Sequence, residues 1–118
     1  MRTIIAGSRG VTDYALVKKA VILSGFATEI TEVVSGTAAG VDTLGERWAK
    51  EHDIPCKRMP ANWSAHGRQA GFLRNREMAK YAGMEGALIA IWDGNSHGTH
   101  SMIVVAKSMG MRVHVLYV

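Results

Sequence analysis

"GALIAIW", Gly86 to Trp92, decides the fold. After the glycine the run is apolar throughout, with no polar residue at alternate positions. A strand with one face in water alternates, so an unbroken run needs cover on both faces. That is the situation of a central strand in a parallel sheet. Downstream, a Gly/Asn/Ser-rich loop gives way to a helical pattern that buries Met102, Ile103, Ala106 and Met109, and "RVHVLYV" (Arg112 to Val118) closes as a fifth strand, parallel, antiparallel or at an edge. Upstream, Gly71 to Ala82 reads as a helix with Phe72, Leu73, Met78, Ala79 and Ala82 apolar, preceded by a long loop over Ala61 to Ala70.

The same alternation continues back to the N-terminus. "IPCKRMP" (Ile54 to Pro60) is a weaker strand and "TEVVS" (Thr31 to Ser35) a short one. Between them Val41, Leu44, Gly45, Trp48 and Ala49 share one face of a helix over Val41 to Glu51. A helix over Asp13 to Ser24 carries Leu16, Val17, Ala20, Val21 and Leu23 on its apolar side, with Gly25 as its stop, and "RTIIAG" opens the chain as a strand. Strands separated by helical patterns of ~10–15 residues make right-handed βαβ units. The expected fold is α/β, a Rossmann-like three-layer sandwich in one domain over residues 1–118, with a five-stranded, mostly parallel sheet of order 3-2-1-4-5.

Composition narrows the context. No apolar run approaches the ~18 residues of a membrane span, and the opening segment lacks the form of a signal peptide. A single cysteine, Cys56, suits a reducing cytoplasm and reads as a buried strand residue. The net charge of +4 is local: Lys57, Arg58, Arg68, Arg74, Arg76 and Lys80 face only Glu77 between residues 57 and 80, giving that segment +5. Local positive charge favours an anion site; single-stranded nucleic acid is the alternative partner for such a segment.

In an open parallel sheet, ligands bind beyond the carboxyl ends of the strands, and the unusual residues fall at those connections. After the first strand come Gly7, Ser8, Arg9 and Gly10. After the second come Ser35, Gly36, Thr37, Gly40 and Asp42, with free amides and a helix start turned toward the same space. Asp42 is suited either to capping that helix or to accepting hydrogen bonds from a ribose. After the third strand come Trp63, able to stack on a base or to pack the loop, and Arg74, Asn75 and Arg76. Two residues apart, the arginines cannot share one helix face, so one belongs to the site and the other to a fold or subunit contact. After the fourth come Asp93, Gly94, Gly98 and Thr99, the last fitting a ligand contact or a plain N-cap. No GxGxxG or P-loop fingerprint is present, and His97 and His100 lack a third ligand at metal-binding spacing, so neither a metal nor a cofactor is expected.

Together "AGSRG", "SGTAAGVDTLGERWA", "GFLRNREMAKYA" and "WDGNSHGTHSMI" resemble the SLOG superfamily of Rossmann-like nucleotide-binding domains, and more closely its YspA, YpsA-related branch of phages and bacteria. The resemblance implies a nucleotide or nucleotide-derived ligand and a sensing or sequestering role in conflict between phages and bacteria. It also implies a homo-oligomer paired through helices, for which the helix methionines Met78, Met102 and Met109 offer surface. "SGTAAGVD" and "RNR" are similar to elements of the DNA-processing protein of natural transformation, which binds single-stranded DNA. The last loop is similar to the PGGxGTxxE loop of the Lonely Guy enzymes, which cleave the N-glycosidic bond of nucleoside monophosphates. Where that loop places glutamates this chain has Ser101 and Met102, so a hydrolase would have to draw its carboxylate from Asp42, Glu46, Glu77 or Asp93.

Overall fold

A computed structural model describes residues 1–118. Five strands, β1 (Arg2–Gly7), β2 (Glu32–Ser35), β3 (Cys56–Arg58), β4 (Ala87–Trp92) and β5 (Arg112–Tyr117), form one sheet in the order β3-β2-β1-β4-β5. Every pairing is parallel, and β1 runs beside β4 from Thr3 opposite Ala87 to Gly7 opposite Ile91. The fold is the expected α/β Rossmann-like sandwich in the expected order, with β5 parallel and at an edge. The chain leaves β1 for one half of the sheet and returns to its other side with β4. The carboxyl ends of these two strands therefore diverge at the switch point.

Four long helices supply the outer layers: α1 (Tyr14–Ser24), α2 (Val41–Glu51), α4 (Ala70–Ala82) and α5 (His97–Ser108), with a short α3 (Trp63–His66) before α4. Successive strand residues point to opposite faces. Ile5, Val33, Ile89 and Ile91 meet Val17, Val21, Val41 and Trp48 of α1 and α2. On the other face Ile4, Val34, Leu88 and Ala90 meet Met78, Ala79, Met102, Ile103 and Ala106 of α4 and α5. Ala87 to Ile91 have no exposed surface at all, as their unbroken apolar run requires.

Several local expectations need correction. Leu23 is exposed, because Val17, Ala20, Val21 and Ser24 form the inward stripe of α1 and Leu23 falls beside it. The segment expected as an open loop over residues 61–70 contains α3, whose first turn is capped by the Asn62 side chain accepting from the Ala65 amide at 3.2 Å. Cys56 is only half-buried, and burial raises its thiol pKa. Met78 and Met102 are core residues, each 1% exposed, with Met109 packed against the same cluster. Met78 and Met102 fill gaps between helix and sheet and are not available as an association surface, whereas Met109 is only partly buried. No helix is long and apolar enough to cross a membrane.

Candidate functional site

Beyond the carboxyl ends of β1 and β4 lies a cleft of about 690 Å³. Its wall is built from the turn after β1, the start of α2, the segment from α3 into α4, and the first turns of α5.

The β1 turn is shaped by contacts within the protein. Gly7 lines the cleft, and a Cβ on it would collide with the Ile91 carbonyl and the Val41 side chain, so this glycine also lets α2 press against the sheet. Ser8 is buried and its hydroxyl accepts from the Asp93 amide at 3.1 Å, fastening the first loop to the fourth. Arg9 is exposed and lines the cleft.

In the β2–α2 turn, Thr37 and Gly40 adopt left-handed φ values of 66° and 79°. A Cβ on Gly40 would lie 2.5 Å from the Arg9 carbonyl oxygen and 2.6 Å from that of Ser8, so only glycine lets the two loops touch. Ser35 and Glu46 turn away from the cleft. The Ser35 hydroxyl donates to the Glu46 carboxylate at 2.6 Å and accepts from the Thr37 amide at 3.0 Å, while Glu46 also pairs with Arg58 at 3.2 Å. Both are framework residues.

Asp42 is different. It lines the cleft from the first turn of α2, is 5% exposed, and accepts from the Ala38 amide at 3.2 Å. Burial pushes its pKa up to about 6, although the amides of Ala38 and Gly7 and the charge of Arg74 favour the ionised form. Arg74 is the arginine that reaches the cleft. It donates to the Gly36 carbonyl and, through Nε, to Asn75 Oδ1 at 3.1 Å. Burial lowers its pKa, against the opposing pull of Asp42. Asn75 is buried and its Nδ2 donates to the Gly98 carbonyl at 3.2 Å. Arg76 is exposed and outside the cleft, as the two-residue offset demands.

After β4, the Asp93 carboxylate accepts from the amides of Asn95 and Ser96 at 2.8 and 2.9 Å, and these bonds hold its pKa below the usual value. Gly94 turns the loop with φ 83° and lies outside the cleft lining. Ser96, and not Thr99, is the N-cap of α5: its hydroxyl accepts from the Thr99 amide at 3.5 Å. The first-turn amides of His97 and Gly98 then have no carbonyl four residues back within the helix, and both residues line the cleft. Of the four carboxylates weighed for hydrolysis, only Asp42 and Asp93 line it; Glu77 sits in a separate 210 Å³ hollow with Pro60 and Leu73.

Trp63 lines the cleft and is half exposed. So is Phe72, which sequence periodicity assigns to the core. It shares the stripe of Asn75, Ala79 and Ala82 but sits in the first turn of α4, where the cleft takes the place of the sheet. Arg68, His97, Ser101 and Met102 also line the cleft and were not singled out as site residues from sequence. The offset of His97 and Ser101, one turn apart on α5, is the signal that places both on one face. The cleft thus carries three guanidinium groups (Arg9, Arg68, Arg74) and an open helix start together with two aromatic rings. The basic segment is not one strip, since Arg58 is paired with Glu46 and Arg74 is turned into the cleft.

The profile of the YspA, cpYpsA-related SLOG family matches residues 1–66, more than half of the 118-residue chain. The chain belongs to that family. The stretch matched to the SLOG profile holds both glycine-bearing turns around Asp42 and ends with α3. This SLOG protein is also similar to the Gene 61 protein of Mycobacterium phage D29, with 35% identity over 86 residues, 69% of this chain and 67% of the phage protein. No solved structure matches it significantly.

Proposed function

We propose that the cleft binds a nucleotide or nucleotide-derived ligand, and that the protein works as a sensing or sequestering module. The observation that carries this reading is the pairing, on one concave surface, of cationic groups with stacking surfaces. Arg9, Arg68, Arg74 and the start of α5 suit a phosphate, while Trp63 and Phe72 offer flat apolar faces for a base. The volume of about 690 Å³ suits a small ligand of this kind. SLOG membership suggests the same ligand class. Mass spectrometry of small molecules released on denaturing the purified protein, followed by calorimetry with nucleoside mono-, di- and triphosphates, tests the proposal. A retained or titrated nucleotide supports it. No retained molecule and no heat up to millimolar concentration would refute it.

Asp42 favours a second reading, hydrolysis of the N-glycosidic bond of a nucleoside monophosphate. It is a buried cleft carboxylate with a pKa pushed up to about 6, which suits proton transfer near neutrality. Release of free base from a nucleotide, abolished in Asp42→Asn, supports this reading; a panel with binding but no turnover removes it.

A further inference from the structure

The two edges of the sheet are finished differently. β3 is three residues long, carries exposed Lys57 and Arg58, and stands between Pro55 and Pro60. Shortness, charge and proline are devices that stop an edge from pairing with another strand. β5 lacks them. It runs six residues, RVHVLY, and keeps register with β4 from Arg112 opposite Ala87 to Tyr117 opposite Trp92 without a bulge. Its one side chain of fixed charge, Arg112, lies at the end of the strand and is paired with Glu29 at 3.4 Å.

One bond fixes which backbone groups of β5 face outward. The Val118 amide donates to the Trp92 carbonyl at 3.0 Å, so Val118 turns its N–H toward β4. Backbone groups alternate sides along a strand, which turns Leu116, His114 and Arg112 the same way. Val113, Val115 and Tyr117 therefore point their N–H and C=O groups away from the sheet, where β5 has no neighbouring strand. Val113 and Val115 pack on the α4–α5 face and Leu116 on the α1–α2 face, all half-buried, while Tyr117 is 68% exposed.

This row is complementary to itself. Turned about a two-fold axis at Val115, a second β5 sets Val115 opposite Val115 and Val113 opposite Tyr117, antiparallel pairs that each exchange both backbone bonds. One face then carries a valine pair flanked by valine–tyrosine pairs, and on the other each Leu116 meets a His114. The two Arg112 side chains fall at opposite ends of the ribbon, so no like charges are opposed. An axis at Val113 or Tyr117 would run the second strand off one end of the row. The pairing is isologous and uses the β5 edge of both copies, so the assembly closes at two with only the guarded β3 edges left outside.

We propose that β5 is the association surface for a second copy of this chain, joined by a two-fold antiparallel β5–β5 pairing centred on Val115 into one continuous sheet. The proposal is independent of the ligand reading, because no residue of β5 lines the cleft. It replaces the helix pairing that the resemblance implies with pairing through a strand.

Light scattering and crosslinking test it. Wild type at about 100 μM is expected at twice the chain mass of 12.8 kDa. Val115→Pro removes the central outward N–H without deleting a bond to β4, as a proline on an edge strand does. It should halve the mass while the far-UV spectrum stays unchanged. Val115→Cys on a Cys56→Ser background is the second arm, and it decides the matter if the proline prevents folding. Hydrogen-bonded antiparallel partners stand ~5.5 Å apart at Cα, within disulfide reach. Mild oxidation should therefore link two copies through residue 115, about 10-fold or more faster than Lys50→Cys on exposed α2 surface in the same background. A monomeric mass for wild type, a dimer that survives in folded Val115→Pro, or linkage at residue 115 no faster than at residue 50 overturns the proposal.

Discussion

The Asn75 side-chain amide donates to the Gly98 carbonyl at 3.2 Å, tying the first half of α4 to the open start of α5. Asn75 is buried and also accepts from Arg74 Nε, so it sets the position of a cleft cation and of the cleft amides together. Replacing it with alanine leaves two polar groups without their partner in a poorly solvated place. Asn75→Ala is expected to lose about 1–3 kcal/mol of stability in urea unfolding. It should also weaken nucleotide binding in calorimetry, although in this reading Asn75 acts by holding Arg74 and Gly98. A variant as stable as wild type would show that the tie contributes nothing.

Two glycines of this site should respond in opposite ways to the same change. Gly40 has φ 79°, and its added Cβ would meet two carbonyl oxygens within 2.6 Å. Those atoms are backbone and cannot step aside, so Gly40→Ala is expected to cost several kcal/mol or to prevent folding. At Gly98 an added Cβ meets nothing within 4 Å, and the residue is already helical. Gly98→Ala should therefore gain up to about 1 kcal/mol. If the start of α5 receives a phosphate, the same methyl narrows that approach and lowers affinity. Urea unfolding of both variants separates them, and equal destabilisation would contradict the geometry.

These residues also show what could be read without coordinates. The apolar run of β4 and the alternation of elements were sufficient for the strand order, because parallel strands buried on both faces leave few topologies. Placing glycines and hydroxyls at the strand ends was likewise within reach. What each glycine does was not. Gly7 lines the cleft as its place after β1 suggests, but that its missing side chain also admits Val41 is visible only in the fold. Ser35 and Glu46, 11 residues apart, form a pair that only the folded turn reveals. Phe72 obeyed the helical period but lay one turn beyond the sheet, and periodicity carries no information about where a strand ends beneath a helix.

Asp42 should impress a particular pH dependence on stability. Its carboxyl titrates near 3.9 in an unfolded chain and near 6 in the folded protein. Between those values the native state keeps a proton that the unfolded state has released. Stability contributed by this group therefore falls as pH rises through that window, by on the order of 2–3 kcal/mol, and stays flat above it. Asp93, whose pKa is lowered by its two amide bonds, acts in the opposite sense below the usual carboxylate range. The useful quantity is thus the difference between wild type and Asp42→Asn in urea unfolding from pH 4 to pH 7.5. That difference should change steadily between pH 4 and 6. A constant difference would place the Asp42 pKa at its ordinary value.

Binding itself should be visible through one of the three tryptophans. Trp48 is 4% exposed in the core between α2 and the sheet, and Trp92 is half-buried outside the cleft, stacked on His100 with ring centres 5.5 Å apart. Only Trp63 is both half exposed and part of the cleft wall. A base stacked on its indole would quench its emission and contribute ~1–3 kcal/mol of affinity. Saturating nucleotide is therefore expected to lower the fluorescence of wild type. Trp63→Phe should lose most of this signal while keeping a ring for stacking, and Trp63→Ala should bind about 10-fold or more weakly by calorimetry. If quenching persists undiminished in Trp63→Phe, the base lies elsewhere and Trp63 serves only to pack α3 over Gly71, whose Cβ position is 3.4 Å from the indole edge.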